Sequence, residues 1–325
     1  MSSVFSIFAP RPCSACFPLD LRCTNIGVSY KNPVKWVGNR ALRGTQGLYL
    51  KPKSLHEAVT VLAASGGQIL AGGTDFYPGL GERLPKGDVV DISALGEIRG
   101  ITIGKDWIRI GGLTTWTDVI RTSLPRSFDG LKAAAREVGS IQIQNRGTVA
   151  GNLCNASPAA DGVPPLLALD AEIELASSLE TRRMPLSQFL TGNRKTMRRP
   201  DEILAAIQIP RKMDEAVSTF LKLGARRYLV ISISMVAAVV LPDADGRVAE
   251  ARIAVGSCSA TAQRLTRLEA DLKGQPFKAG LGSAVKPDHL SILSPIDDIR
   301  ATANYRRDAS VTLIRRALEN CVRSV

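Results

Sequence analysis

The sequence predicts an α+β fold: a helix-and-strand region opens the chain, and a smaller domain of antiparallel sheet plus helices closes it. Three observations predict this. A βαβ-like unit begins at Tyr49, with a capped helix between two short strands. Two strands over 101–103 and 107–110, separated by Gly104-Lys105-Asp106, form a hairpin pattern. Two longer strands over 232–241 and 248–255 flank Asp243-Ala244-Asp245-Gly246, a clear turn signal, and helical patterns follow them.

Taken in order, Tyr49-Leu50 opens the first unit. Ser54 caps a helix, with Glu57 three residues on completing a capping box. Leu55, Ala58, Val59 and Leu62 fall on one face, and Gly66-Gly67 ends the helix. A buried strand over 68–71 then enters Gly72-Gly73-Thr74, and 88–92 reads as a second strand. A helix over 116–124, capped by Thr114 or Thr115, turns Trp116, Val119 and Ile120 to the core, and another over 131–138 ends at Gly139. Pro164-Pro165 opens a short apolar turn through Leu166, Leu167 and Leu169. Strands are expected over 172–176, 203–209 and 217–223, with a strand-to-helix connection over 184–190. The segment 211–215 reads as a linker or wide turn. Helices close the chain near 262–272 and 305–322, the latter with Val311, Ile314, Leu318 and Val322 at helical spacing. The expected domains are an irregular extension over 1–45, a first domain over 46–212 and a second over 213–325.

At 325 residues, 45% hydrophobic and 22% charged, the chain can build a large core. No apolar run reaches the length of a membrane span, and the start lacks the basic and apolar regions of a signal peptide. Of the formal charge of +12, residues 1–45 hold +5, from six Lys or Arg against Asp20. A basic surface suits nucleic acid or an acidic partner. With aromatics at 5% and no basic run interleaved with them, a solvated surface is the expectation, and nucleic acid is not. Cys154, Cys258 and Cys321 are isolated and read as reduced thiols of a cytoplasmic protein. Cys13, Cys16 and Cys23 lack a fourth ligand nearby, and His56 and His289 are the only histidines, so no metal centre is expected.

The stretch 139–161 organises the rest. Gly147, Ala150, Gly151 and Ala156 leave backbone amides uncovered, while Asn145, Thr148, Asn152, Asn155, Ser157 and Asp161 place short polar groups between them. This composition suits a large ligand with phosphates and hydroxyls. Its upstream counterpart, Ile69-Leu70-Ala71-Gly72-Gly73-Thr74-Asp75, is a strand that breaks into a possible amide nest for an anion. Either one alone is a plain glycine turn. As a pair, each ending a strand, they could clamp one diphosphate from both sides.

That pair, Ala71-Gly72-Gly73-Thr74-Asp75 with Gly147-Thr148-Val149-Ala150-Gly151-Asn152-Leu153 and Ala156-Ser157-Pro158-Ala159-Ala160-Asp161, resembles the FAD-binding (medium) subunits of the molybdenum hydroxylases. The family includes those of the carbon monoxide, nicotinate and xanthine dehydrogenases, and the resemblance runs from about Tyr49 to the C-terminus. One departure is Ala150, where the family usually has a second glycine; its methyl would narrow the approach of a pyrophosphate.

The resemblance implies FAD as cofactor. It also implies the two-subdomain FAD-binding fold of the p-cresol methylhydroxylase / vanillyl-alcohol oxidase type for the first domain. It places cofactor contacts at Ile69, Leu70, Ala71, Gly72, Gly73, Thr74, Asp75 and Phe76, and at Thr148, Val149, Ala150, Gly151 and Asn152. Asp161 would accept from ribose or ribityl hydroxyls, or else cap the turn into Pro164. Leu204 would lie at the flavin ring, or else be a core leucine; Lys222 would lie near the flavin, or else be a solvated lysine. Arg226 or Arg227 would meet an acceptor phosphate, or else be surface charge.

In the family, a large partner subunit holds molybdopterin and a small one carries two [2Fe–2S] clusters. The resemblance therefore implies a cytoplasmic electron-transfer subunit, in a heterotrimer or a dimer of heterotrimers, that passes electrons through FAD to an external acceptor. No catalytic residue is required of this chain, and the sequence offers no triad and no cysteine array for clusters. The alternatives are a self-sufficient FAD-dependent reductase on the same fold, a docking subunit that has lost FAD, and a basic nucleic-acid-binding protein.

Overall fold

In the computed structural model, which describes residues 47–324, β1 (Tyr49–Leu50) leads through α1 (Leu55–Ser65) to β2 (Gln68–Leu70). The expected extension, with Cys13, Cys16 and Cys23, falls outside the described residues. Ser54 caps α1 by accepting from the Glu57 amide at 3.2 Å. The expected capping box is shifted by one residue: the Glu57 carboxylate takes the Lys53 amide at 2.8 Å. Ala58, Val59 and Leu62 are buried, and Gly66, at φ 62°, ends the helix as a left-handed cap. After α2 (Phe76–Leu80), β3 (Val89–Asp91) enters between β1 and β2, parallel to both.

The hairpin β4 (Ile101–Ile103) and β5 (Trp107–Gly111) forms as expected. α3 (Trp116–Arg121) has a full capping box between Thr115 and Asp118. It stops short of the expected end because Thr122, at ψ 135°, already leaves the helical region. α4 (Asp129–Glu137), α5 (Ile141–Gln144) and α6 (Val149–Asn155) follow. The turn expected at Pro164-Pro165 is instead a helix, α7 (Val163–Ala168), whose six residues are all buried. Proline suits the first helical turn, where its missing N–H has no partner to lose, and an all-apolar surface marks a helix enclosed by core.

β6 (Glu172–Ala176), β7 (Thr181–Pro185), α8 (Leu186–Phe189), the small pair β8 (Leu190–Gly192) and β9 (Lys195–Thr196), and β10 (Ile203–Pro210) come next. They complete an antiparallel sheet in the order β4-β5-β10-β6-β7. The last sheet, β11-β12-β13-β14, contains β11 (Val217–Leu223), β12 (Ser234–Pro242), β13 (Val248–Gly256) and β14 (Gln263–Arg264). The pairing of β14 with β13 delays α9 (Thr266–Leu272) to four residues past its expected start. α10 (Ala303–Arg323) completes the described chain.

Side-chain alternation gives this last sheet two apolar faces. Val236, Ala238, Val240, Ile253 and Val255 meet Leu268 and Leu272 of α9 and Ile314 and Leu318 of α10. Phe220, Met235, Ala237, Val239 and Ala254 point the other way, into the core that holds Trp116, Leu166, Ile173, Phe189 and Leu204. Among the described residues, no helix is long and apolar enough to cross a membrane.

Glu202, at the start of β10, is fully buried and takes bonds from Arg182 (2.6 and 3.0 Å) and from the Arg199 amide (2.6 Å). Burial pushes its carboxyl up, but these donors outweigh burial and hold it below the usual glutamate value of 4.5. A depressed carboxyl stabilises the fold above its unfolded pKa, and that stabilisation is lost as pH falls through the folded value. Glu202→Gln is therefore expected to cost about 1–3 kcal/mol at neutral pH, the partly exposed arginines screening the rest. The deficit should narrow in acid below pH 4.5; urea unfolding at pH 7 and pH 4 measures it.

Candidate cofactor site

β2 ends at Leu70, and the chain then turns through Gly72 and Gly73, the latter at φ 77°. A methyl built on Gly72 would lie 2.0 Å from the carbonyl oxygen of Arg146 and 3.2 Å from the Cα of Gly147. One built on Gly147 would lie 3.3 Å from Thr74 Oγ1. Two stretches more than seventy residues apart in the chain are thus packed backbone against backbone, and only glycine permits the approach at 72. The amides of residues 72–76 make no hydrogen bond among the described residues. They form a run of free donors where the strand ends.

The second stretch differs from the expected loop at a strand end. Gly147 lies between α5 and α6, and Thr148 is the cap of α6, its Oγ1 accepting the Gly151 amide at 2.9 Å. The amides of Gly147, Val149 and Asn152 are bonded to the carbonyls of Ile143, Thr114 and Thr148. In this segment only those of Thr148 and Ala150 have no partner among the described residues, so most of the donor capacity lies on the first loop. Ala150 is buried in the core beside Val149 and Leu153, so its methyl fills core space instead of narrowing the approach to the amides. Asn152 presents a buried Oδ1 with no hydrogen-bond partner among the described residues.

Asp161 is 8% exposed and caps no turn. Its Oδ2 accepts from Lys222 Nζ at 2.6 Å and its Oδ1 from Ser232 Oγ at 2.7 Å. Burial pushes the Asp161 carboxyl above its ordinary range, against the ammonium of Lys222 and the Ser232 hydroxyl, while Glu137 adds to the upward push. Lys222 is no solvated lysine: its side chain is 7% exposed and also donates to the Glu137 carbonyl at 3.4 Å. Leu204 is buried in the main core next to a bulge in β10.

Beside Lys222 opens a cavity of about 450 Å³, walled by Glu137, Phe220, Lys222, Arg226 and Arg227. Arg226 donates to the Leu229 carbonyl at 2.6 Å, and Arg227 lies 5.3 Å from the Tyr228 ring centre. Neither Glu137 nor Ser232 stands out in the sequence as a site residue. Ser232 only closes the 224–232 segment, which resembles a family loop near the flavin, and it lies 71 residues from the carboxylate it holds. Among the described residues, no group of three or more His, Cys, Asp or Glu could hold a metal.

Residues 41–212 match the family described as the FAD binding domain in molybdopterin dehydrogenase, and residues 219–321 match the CO dehydrogenase flavoprotein C-terminal domain. The chain is 32% identical to a xanthine dehydrogenase FAD-binding subunit of Escherichia coli O157:H7, over 84% of this chain and 95% of that protein. It is 30% identical to the nicotine 6-hydroxylase medium subunit of Paenarthrobacter nicotinovorans, over 83% and 95%. Among solved structures, a chain of carbon monoxide dehydrogenase from Hydrogenophaga pseudoflava superposes with a TM-score of 0.78 at 27% identity, covering 86% of this chain and 98% of that one.

Proposed function

Because this chain belongs to the FAD-binding subunits of the molybdopterin dehydrogenases, we propose that it holds FAD across its two packed small-residue stretches and serves as the electron-transfer subunit of a molybdenum hydroxylase complex. The observation that carries this reading is the contact of Gly72 with Arg146 and Gly147, beside the free amides of 72–76. A diphosphate needs several donors and close backbone approach, and that contact offers both. The free amides of Thr148 and Ala150 and the unpartnered Asn152 Oδ1 add polar groups that a dinucleotide would satisfy.

In this reading residues 69–76 and 148–152 hold the adenine dinucleotide portion, and Leu204, a core leucine here, backs the site from within the core. Asp161 accepts hydroxyl donors on its remaining lone pairs, and Lys222 sets a positive charge near the ring. FAD, when bound, supplies the capacity to accept electrons singly and release them in pairs. The chain's own residues bind it, exclude water from Asp161 and Lys222, and fix the local charge. Residues 46–212 would form the two-subdomain fold of the p-cresol methylhydroxylase type, a reading supported by the separate three-stranded and five-stranded sheets. Residues 213–325 would form the second domain.

The partners in this reading are a large molybdopterin subunit and a small subunit with two [2Fe–2S] clusters, in a cytoplasmic heterotrimer or its dimer, with no role for nucleic acid. The purified chain is expected to take up one FAD and to show no NAD(P)H-dependent turnover without partners. Flavin absorbance after reconstitution and a turnover assay of the isolated chain measure this. A chain that stays colourless in excess FAD, or that oxidises substrate unaided, would reject the reading.

A further inference from the structure

Asp161, Lys222 and Ser232 come from three parts of the chain and meet out of water. Asp161 lies between α6 and α7, Lys222 is on β11, and Ser232 is in the connection from β11 to β12. Ser232 is fully buried and donates to Asp161 Oδ1 at 2.7 Å, while Lys222 takes Oδ2 at 2.6 Å. Each carboxylate oxygen therefore has one strong donor. Without Ser232, Oδ1 would lose its only one among the described residues, and a buried carboxylate with an unsatisfied oxygen is costly to keep ionised.

We propose that Ser232 is a positioning residue of the cofactor site: its hydroxyl holds Asp161 ionised and fixed, so that Lys222 stands charged and immobile at the cavity wall. The proposal rests on the reading that Asp161 and Lys222 face bound FAD. The charged groups around the pair are few. Glu137 of α4 accepts from Lys222 through its carbonyl and lines the cavity with Arg226 and Arg227 of the following loop. α7, which begins two residues after Asp161, carries no ionisable side chain. Burial and Glu137 both favour a neutral Asp161, and Lys222 and Ser232 oppose them. Ser232 is therefore one of two groups on which the charge of the pair depends, and the one that is not itself charged.

The test has two arms. In the FAD-free chain, thermal unfolding is followed across pH for the wild type, Ser232→Ala, Asp161→Asn and the double variant. Removing the hydroxyl penalises the ionised carboxylate most, because a neutral acid or amide oxygen accepts a weaker hydrogen bond. The Ser232→Ala deficit is thus full at neutral pH, narrows as Asp161 takes up a proton, and is clearly smaller in the Asp161→Asn background. A deficit that is the same at every pH, or that is undiminished beside Asp161→Asn, overturns the proposal, since it would not depend on the charge of Asp161.

In the second arm FAD affinity is titrated by fluorescence quenching. The acid-side fall in affinity begins about one pH unit higher in Ser232→Ala than in the wild type, and Ser232→Thr returns it. An unmoved profile in a variant that still binds FAD overturns the role of Ser232. A wild type that binds no FAD, yet shows the charge-linked deficit of the first arm, instead overturns the cofactor reading of the site.

Discussion

Gly72→Ala is expected to give a folded protein that binds FAD at least 10–100-fold more weakly and purifies largely colourless. The new methyl would sit 2.0 Å from the Arg146 carbonyl oxygen, well inside van der Waals contact, with backbone on both sides and no flexible side chain to yield. The two stretches must separate, and the free amides of 72–76 then lose their place beside Arg146 and Gly147. Relieving such an overlap costs about 1–3 kcal/mol, and each 1.4 kcal/mol withheld from binding is about tenfold in affinity. Fluorescence titration with FAD, set beside the melting curve of the FAD-free chain, separates lost binding from lost folding. Ala150→Gly is the matched control. Its methyl lies in the core, so the variant is expected to lose about 1 kcal/mol of stability and keep FAD affinity within about threefold of the parent. Equal affinity in Gly72→Ala and wild type would remove the packed loops from the site.

The second large effect is expected at Arg306. This arginine of α10 is 1% exposed and donates to the carbonyls of Ile233 (2.6 Å) and Ser257 (3.1 Å) and to Asp298 (2.6 Å). Arg306→Ala takes a charged donor from two backbone carbonyls and one of several donors from the Asp298 carboxylate, which keeps Arg300 and the Ala301 amide, at a cost of about 3–5 kcal/mol. That lowers the melting temperature by on the order of 10 °C. The bonds from Arg300 come first among the causes that hold the Asp298 carboxyl well below its usual range; burial opposes them, and Arg306 adds to them. A depressed acid stabilises above its unfolded pKa and loses that contribution as pH falls. The Arg306→Ala deficit should therefore be full at neutral pH and begin to narrow only below the ordinary aspartate value of 3.8. Melting curves at pH 7 and pH 3 would show it. Because Ile233 is the neighbour of Ser232, the variant is also expected to loosen the hold on Asp161. A deficit below 1 kcal/mol would mean that Arg306 is not the tie it looks to be.

Local signals were readable wherever one residue type has one strong use. Ser54 and Gly66 bound α1 where caps should stand, and Asp243-Ala244-Asp245-Gly246 turns β12 into β13. The two small-residue stretches stood out because bare backbone is rare outside turns and ligand contacts. Their internal structure did not. Val149, Ala150 and Leu153 do bury one face of a helix, but the intervening small and polar residues hid the period. α7 was misread because paired prolines suggest a turn, although its run without polar residues also fits an enclosed helix. Asp161 and Lys222 were each singled out, yet nothing along the chain joins residues 61 positions apart. Their pairing, and the arrival of Ser232, follow from how β11 and β12 pack on α4 and α7.

One feature of the last sheet bears on any attempt to divide or recombine this chain. Phe220, Met235, Ala237, Val239 and Ala254 share a core with Trp116 and Leu204, from the other side of the proposed 212/213 boundary. A fragment cut there would present a bare apolar face and is expected to aggregate when expressed alone. A hybrid that borrows its second half from a relative must carry over those five contact positions together, as a matched seam.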